Sequence, residues 1–248
     1  MQGAHASYDL TLICGRRPEL LQQTLASFAP KVFAHFPFAN VIANIDPFCG
    51  TDVDGAACAA LIRSHFPQAQ IFMPDHPGFG AAVMRIWQAS HSDIILHLED
   101  DWLALEPIMP DRVERDMTGD VMGLTLMCAT KNTRNQQYQT ARRRIRRADG
   151  TEEDQFVNAF STSPGFFSGP FVRHAATLMR PEFDPEKQFS RSLNPDLEAY
   201  AMQYRCKFLF GSTSPFIVED IGRPWQREKG IVKSYERRTG RSTWSNLG

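Results

Sequence analysis

The chain contains 248 residues, of which 42% are hydrophobic, and its formal net charge is −1. This length allows one large domain or two small ones, and a charge near zero excludes a strong global attraction to nucleic acid or membranes. The five cysteines are scattered without a Cys-x-x-Cys pair, which favours reduced thiols over a zinc site. We find no transmembrane segment and no signal-peptide pattern in the sequence, so a cytoplasmic location is expected.

Alternating strands and helices are predicted for the first hundred residues. Apolar residues recur at helical spacing from Pro18 to Phe28, and Pro30 is expected to end that helix. Further helices are predicted over 56–65 and 81–89, and strands over 8–13, 41–46, 70–73 and 94–98. This order predicts an α/β fold with a mainly parallel sheet and right-handed crossovers.

Three consecutive carboxylates, Glu99, Asp100 and Asp101, form an acid triplet directly after the fourth predicted strand. A hard divalent cation such as Mn²⁺ or Mg²⁺ would neutralise these adjacent charges, usually together with substrate phosphates. In open α/β sheets ligands bind outside the carboxyl ends of the strands, where these acids are expected. The triplet therefore indicates a site for a metal and a phosphorylated ligand. The alternative is a solvated acidic turn without a ligand.

A glycine-containing loop precedes the third predicted helix. Gly78 and Gly80 permit backbone conformations that other residues rarely adopt. The helix that follows begins with unpaired backbone amides, which suit a phosphate group. The alternative is a plain turn from loop to helix.

In order and spacing, these segments resemble the nucleotide-sugar-binding half of a GT-A glycosyltransferase of the family 2 kind. Residues 12–21, including Arg17-Pro18, are similar to the family's opening strand, turn and helix. Asp46 and the loop 49–52 resemble the acid that contacts the nucleotide base and the loop behind it. Residues 76–82 resemble the family's Asn-x-Gly-x-x-x-Ala turn. The acid triplet stands in place of the Asp-x-Asp metal motif, with Glu99 departing from the usual Asp.

The resemblance implies a fold and a set of donor-binding residues. The expected fold is a GT-A-like α/β domain of residues 1–248, with a Rossmann-like sheet flanked by helices and a smaller mixed acceptor-side region. Residues 1–105 would form the nucleotide-sugar-binding half, and 106–248 the acceptor-side half with a C-terminal closing segment. The implied donor-binding residues are Cys14, Gly15, Arg16, Arg17, Asp46, Gly78, Gly80, Asp100 and Arg223.

The second half of the chain resembles the acceptor side of the family. Gly169 with Arg173 is similar to a segment that shapes the site, and residues 183–185 resemble the Phe-Asp-Glu turn that follows it. Residues 194–198 resemble the Glu-Asp-x-Asp motif, which implies Asp196 as the catalytic base with Glu198 behind it, although Pro195 replaces the usual Glu. Asp196 is equally suited to the first turn of the helix predicted over 194–205. The implied acceptor-binding residues are Trp102, Gly169, Arg173, Glu198 and Trp225.

The late segment 219–225 is the implied closing element. Many family relatives place a late histidine on the metal, but this sequence has no histidine after His174. Asp220 is the implied replacement. The resemblance therefore implies Mn²⁺ or Mg²⁺ held by Glu99, Asp101 and Asp220.

The implied reaction moves a sugar from a nucleotide-diphosphate sugar to an acceptor hydroxyl, with inversion if Asp196 is the base. A saccharide or glycan is the family's default acceptor. A cationic cluster keeps a hydroxymethylated pyrimidine in DNA open as a second acceptor, as in phage DNA-modifying enzymes. The cluster lies in a polar segment over 134–150 and is otherwise a solvated loop; it contains Arg142, Arg143, Arg144, Arg146 and Arg147. A nucleotidyltransferase and a non-catalytic sugar-nucleotide-binding module are the alternatives from other classes.

Overall fold

The computed structural model describes residues 6–130, 136–147, 149–190, 192–236 and 241–246. Its first half confirms the predicted alternation: β1 (Tyr8–Cys14), α1 (Pro18–Lys31), β2 (Phe38–Ile45), α2 (Asp52–His65), β3 (Gln70–Phe72), α3 (Phe79–Gln88) and β4 (Ile94–Glu99). Several predicted boundaries differ from the observed ones; strand β2, for example, begins at Phe38 rather than at residue 41. Helix α1 continues past Pro30 to Lys31. Helix α2 begins at Asp52, because Thr51 and Asp54 form a reciprocal capping box ahead of the predicted start.

The second half contains shorter elements. They are β5 (Trp102–Ala104), α4 (Pro110–Asp116), β6 (Val121–Leu126), β7 (Thr140–Arg146), β8 (Glu152–Asn158), β9 (Gly165–Ser168), α5 (Gly169–Leu178), α6 (Pro195–Ala201), β10 (Arg205–Leu209), β11 (Val218–Asp220), α7 (Gly222–Glu228), β12 (Ile231–Glu236) and β13 (Arg241–Asn246). Helix α6 is shorter than predicted, because Arg205 already begins β10. Among the described residues, no helix is both long and apolar enough to cross a membrane.

One seven-stranded sheet organises the molecule, with the strand order β10-β6-β9-β4-β1-β2-β3. Neighbouring strands are parallel except at β9, which runs antiparallel to both β4 and β6. The reversal places Ser168, at the end of β9, beside Ile94 at the start of β4. Strands from residues 1–105 and from 106–248 pair within this sheet, so the two predicted halves share it. The fold is therefore α/β with a mostly parallel central sheet, as predicted.

Helices cover both faces of the sheet. On one face α1, α2 and α4 pack through buried residues such as Leu25, Ile62 and Val113. On the other face α3, α5 and α6 pack through residues such as Ile86 and Val172. Because both faces are buried, the strand ends and the loops that follow them are the places where polar side chains can gather at a ligand site.

A buried histidine lies at the centre of β4. The Nδ1 atom of His97 is 3.2 Å from Trp87 Nε1 and 3.1 Å from the Thr11 hydroxyl. An indole N–H can only donate, so Nδ1 must accept, and the imidazole proton resides on Nε2. Complete burial lowers the pKa of His97 to about 3. The folded protein therefore holds this imidazole neutral, whereas the unfolded chain protonates it at an ordinary pKa near 6.5.

This difference predicts an acid-sensitive fold. The His97 contribution to stability is complete above pH ~6.5 and falls by up to about 1.4 kcal/mol per pH unit as the pH drops towards 3, because only the unfolded chain binds the proton. In His97→Asn the amide oxygen retains an acceptor near Trp87. Urea unfolding should then show that the stability lost between pH 7 and pH 5 is about 2 kcal/mol smaller in His97→Asn than in the wild type. Equal losses would contradict the neutral buried imidazole.

Candidate active site

The carboxyl ends of β1, β2 and β4 open into one cavity of about 590 Å³. Segments 162–163, 184–186 and 220–226, from the second half of the chain, complete its walls. Ten of the predicted site residues line this cavity: Gly15, Arg17, Asp46, Gly78, Glu99, Asp100, Asp101, Trp102, Asp220 and Arg223. The shared edge of the parallel strands thus brings together side chains that are far apart in the sequence.

Asp100 is the most buried member of the acid triplet, with 1% of its side chain exposed. It accepts hydrogen bonds from the Gly15 backbone N–H at 2.8 Å and from Arg17 Nε at 3.2 Å, and Arg17 Nη2 contacts its other oxygen. The same Nη2 atom lies 3.1 Å from Asp101 Oδ2. Asp100 therefore ties the β1 turn to the end of β4.

Arg17 is enclosed by aromatic rings as well as by carboxylates. Its guanidinium carbon lies 5.2 Å from the ring centroids of both Phe48 and Trp225, within cation–π distance. Burial alone would lower the pKa of Arg17, but the charges of Asp100 and Asp101 raise it above its usual range. Arg17 therefore remains a permanent cation in the wall of the cavity.

Trp225 was predicted to bind the acceptor, and the structure places it elsewhere. Its ring covers the Arg17 guanidinium, and its indole N–H donates to Glu19 Oε1 at 2.9 Å. It does not line the cavity. In the structure Trp225 packs helix α7 onto the start of α1, and its contact with an acceptor stays a prediction.

Asp101 and Asp220 come together because β5 pairs with β11, which sets Asp220 opposite Trp102. Burial and the charges of Asp100 and Asp220 raise the pKa of Asp101 to about 6, although Arg17 opposes this shift. Asp220 accepts backbone N–H bonds from Gly222 and Arg223, both at 3.1 Å. A Cβ atom on Gly222 would overlap Asp101 Oδ2, so only glycine allows α7 to begin this close to the triplet.

These acids fit a divalent cation. Asp101 and Asp220 are hard oxygen donors on one cavity, where they lie next to Asp100. Within the described ranges, no three His, Cys, Asp or Glu side chains cluster closely enough to hold a metal by themselves. Mg²⁺ and Mn²⁺ sites in nucleotide-using proteins commonly take one or two carboxylates and complete their shell with phosphates and water. Glu99 also lines the cavity, and it accepts a hydrogen bond from the Trp102 indole at 3.0 Å.

A second acid, Asp46, lies at the end of β2 and is 5% exposed. Its Oδ2 atom accepts the Gly78 backbone N–H at 2.8 Å, and its Oδ1 atom is buried without a hydrogen-bond partner among the described residues. Burial raises the pKa of Asp46. Because Asp46 lines the cavity, its carboxylate suits an N–H donor supplied by a ligand.

Three residues predicted to bind the donor lie outside the cavity. Cys14 is fully buried in the core, where burial and the nearby Asp100 raise the pKa of its thiol. Arg16 points away and pairs with Asp52 at 2.7 Å. Gly80 is not part of the cavity wall; a Cβ atom there would overlap the backbone oxygen of Phe183, so this glycine lets α3 pack against the turn 181–183.

Gly169 and Arg173 were predicted on the acceptor side, and the structure corrects this. Because β9 runs antiparallel to β4, its end and the start of α5 lie at the amino end of β4. There Arg173 Nη1 donates to the Ser92 backbone oxygen at 2.9 Å, and a Cβ atom on Gly169 would overlap that same oxygen. Both residues thus hold α5 to the far end of the sheet.

Asp196 and Glu198 are also outside the cavity. Leu197, Glu198 and Ala201 form the buried side of α6, and this leaves Asp196 exposed on the first turn. Glu198 accepts the Ser192 backbone N–H at 2.9 Å and pairs with an arginine of β7. The structure places Asp196 in the first turn of α6, which is capped by Asn194, and outside the cavity where the catalytic base was expected.

The cationic cluster is a β-hairpin rather than a loop. Strands β7 and β8 pair antiparallel, so arginines of one strand face acids of the other. Four of the five arginines lie 2.7–3.5 Å from an acid: Arg142–Asp154, Arg143–Glu198, Arg144–Glu152 and Arg147–Glu153. None of the five lines the cavity. The start of the predicted segment, at Arg134, lies outside the described residues.

Sequence reasoning missed several residues of the cavity wall. Asp184 follows a phenylalanine in the segment that resembles the Phe-Asp-Glu turn. The sequence therefore marked this residue, but it indicated no role for it in the site. Phe48, Thr162, Ser163 and Glu186 carry no motif that we could identify. They reach the cavity only through the packing of loops.

Comparison with known proteins gives a fold and no sequence family. No protein-family model and no curated protein matches the chain. The mannosyltransferase PcManGT from Pyrobaculum calidifontis, solved with GDP-Man and Mn²⁺, aligns over 95% of this chain with a TM-score of 0.61 and 10% identity. GalNAc-T7, solved with UDP, GalNAc and Mn²⁺, aligns over 88% with a TM-score of 0.58 and 9% identity. The chain has a GT-A fold.

Other GT-A structures share the architecture within longer chains. TarS from S. aureus aligns over 88% of this chain with a TM-score of 0.53 and 11% identity. The chain spans 61% of PcManGT, 44% of GalNAc-T7 and 37% of TarS. At such low identity the likeness establishes the GT-A fold and leaves activity to be argued from the site.

Proposed function

We propose that this protein is a metal-dependent glycosyltransferase that moves a sugar from a nucleotide-diphosphate sugar to an acceptor hydroxyl. One observation carries the proposal: a GT-A sheet opens Asp46 and the pair Asp101 and Asp220 onto the same cavity. The Asp46 carboxylate suits the N–H of a nucleotide base, and the carboxylate pair suits a cation on the diphosphate. Structures with this fold have been solved with GDP-Man and Mn²⁺ and with UDP and Mn²⁺.

The proposed roles follow from charge. Asp101 and Asp220 would hold Mn²⁺ or Mg²⁺, which would supply the positive charge that stabilises the diphosphate when its bond to the sugar breaks. Arg17 pairs with Asp100, and Asp101 is the acid of the triplet that would bind the ion. Arg223, exposed at the cavity and paired with Asp220 at 3.0 Å, lies within the same wall and suits a phosphate oxygen.

A saccharide is the acceptor class that we propose. Among the described residues the cavity wall contains seven carboxylates and two arginines, a balance that disfavours a polyanion even after one divalent ion binds. Four of the five arginines that suggested DNA pair with acids, and all five lie outside the cavity. The arginine cluster therefore no longer supports a phage-type DNA acceptor. The hydroxyl groups of Thr162 and Ser163 in the cavity wall suit a hydroxyl-rich ligand.

The proposal predicts metal-dependent release of a nucleoside diphosphate. The protein is incubated with UDP-glucose, UDP-GlcNAc or GDP-mannose and excess Mn²⁺, and UDP or GDP is measured with water or added saccharides as acceptor. We expect at least one donor to turn over, and we expect EDTA to stop the release. Binding without turnover would favour a sugar-nucleotide-binding module. Pyrophosphate release from nucleoside triphosphates would favour a nucleotidyltransferase.

A further inference from the structure

We propose that Glu186 is the general base that removes the proton from the acceptor hydroxyl, an inference that rests on the glycosyl transfer proposed above. Glu186 lines the cavity beside Thr162 and Ser163. It belongs to no motif that pointed to a base, and it replaces Asp196, which lies outside the cavity.

Most of the other cavity carboxylates already have a position that excludes this role. Asp100 is buried against Arg17. Asp101 and Asp220 form the cation site, and Asp46 lies at the nucleotide side with Gly78. Asp46, Asp101 and Asp220 are thus assigned to the donor or its metal, and Asp100 is held by Arg17, so none of the four is placed to meet the incoming hydroxyl.

Glu99 belongs to the acid triplet beside the cation site and accepts the Trp102 indole N–H at 3.0 Å. The remaining choice lies between Asp184 and Glu186. Asp184 is 4% exposed, and its Oδ1 atom accepts the backbone N–H groups of residues 186 and 187, so it caps the short turn Lys187–Phe189. Glu186 is 31% exposed and therefore accessible to a substrate. Asp184 orders the turn, and Glu186 is the carboxylate that this turn presents to the cavity.

Glu186 is also held in a defined orientation. The buried Ser161 hydroxyl donates to Glu186 Oε1 at 2.7 Å, and Lys187 Nζ lies 3.2 Å from Oε2. The turn that carries Glu186 is positioned from α3, where Gly80 allows the backbone at 181–183 to approach closely. A base must be placed within hydrogen-bond reach of its proton, and these contacts restrict the side chain to the cavity wall.

The proposed step balances as a single displacement. The Glu186 carboxylate takes the proton of the acceptor hydroxyl, and the acceptor oxygen uses its lone pair to form a bond to the anomeric carbon. The bond from that carbon to the diphosphate oxygen breaks, and its electron pair leaves with the nucleoside diphosphate. Attack from the side opposite the leaving group inverts the anomeric centre. With water as acceptor, the same base produces free sugar.

The test compares Glu186→Gln with Asp196→Asn. Both substitutions keep the shape of the side chain and remove its basicity. We expect Glu186→Gln to slow release of UDP or GDP from the donor by ~10²–10⁴-fold. Calorimetry with UDP or GDP and Mn²⁺ should show unchanged affinity, which also demonstrates that the variant is folded. Asp196→Asn, on the exposed first turn of α6, should match the wild type in both measurements.

The outcomes are distinct. A wild-type rate in Glu186→Gln overturns the inference, and a loss of rate in Asp196→Asn alone would return the base to α6. If Glu186→Gln weakens nucleotide binding as much as it slows turnover, Glu186 belongs to the donor site and the inference is also wrong. Failure of the proposed function is visible in the wild type itself, which would then release no nucleoside diphosphate from any donor.

Discussion

Asp101→Ala should abolish metal-dependent donor binding and turnover while leaving the fold intact. The substitution removes a carboxylate that faces the cavity together with Asp220. Arg17 keeps its contacts with Asp100, so no buried charge loses its partner. In calorimetry with UDP or GDP and Mn²⁺ we expect the affinity to fall by ~10²-fold or more, together with the rate of donor turnover.

The matched control is Asp52→Ala. Asp52 is 93% exposed, lies outside the cavity and pairs with Arg16. Its loss should change neither nucleotide affinity nor turnover. Unchanged affinity in Asp101→Ala would show that the metal, if one binds, is held elsewhere.

The residues at the carboxyl edge of the sheet could be predicted from the sequence. Hydrophobic periodicity and the position of ligand sites in parallel sheets were sufficient for this. Strand and helix periodicity located β1, β2 and β4, and the carboxyl ends of parallel strands meet at one edge. Asp46, Gly78 and the acid triplet therefore gathered in the cavity as expected. The GT-A resemblance adds the order of these features, and the solved structures independently support that fold.

The acceptor side was not predictable for two physical reasons. The direction of β9 depends on its pairing with β4 and β6, and its antiparallel course moved Gly169 and Arg173 to the far end of the sheet. The phase of α6 depends on which of its faces is buried. Consecutive residues of a helix point about 100° apart, so burying Leu197 turned Asp196 towards solvent.

The pairing of charged side chains also could not be predicted from the sequence. A run of arginines suggests a phosphate-binding patch. The hairpin register, however, sets acids from later in the sequence opposite them, for example Asp154 opposite Arg144. In the same way, the sequence predicts that Arg17 binds the sugar-nucleotide donor, whereas in the fold Arg17 forms an ion pair with Asp100. Whether a charged side chain faces a substrate or a neighbour is decided by pairing across the fold, which no single segment encodes.

Arg17→Met should destabilise the protein by about 3–5 kcal/mol, because it leaves the Asp100 carboxylate buried without its counter-charge. The neighbouring Arg16→Met is the matched control: its partner Asp52 is almost fully solvated, so the free energy of unfolding should change little. Urea unfolding at neutral pH measures both.

The double variant Arg17→Met, Asp100→Asn separates lost charge from lost packing. Asparagine can still accept the Gly15 N–H but buries no charge, so much of the stability lost in Arg17→Met should return. Equal destabilisation by the two single arginine variants would show that Asp100 does not depend on Arg17. If the double variant is no more stable than Arg17→Met, the guanidinium acts mainly by packing between Phe48 and Trp225.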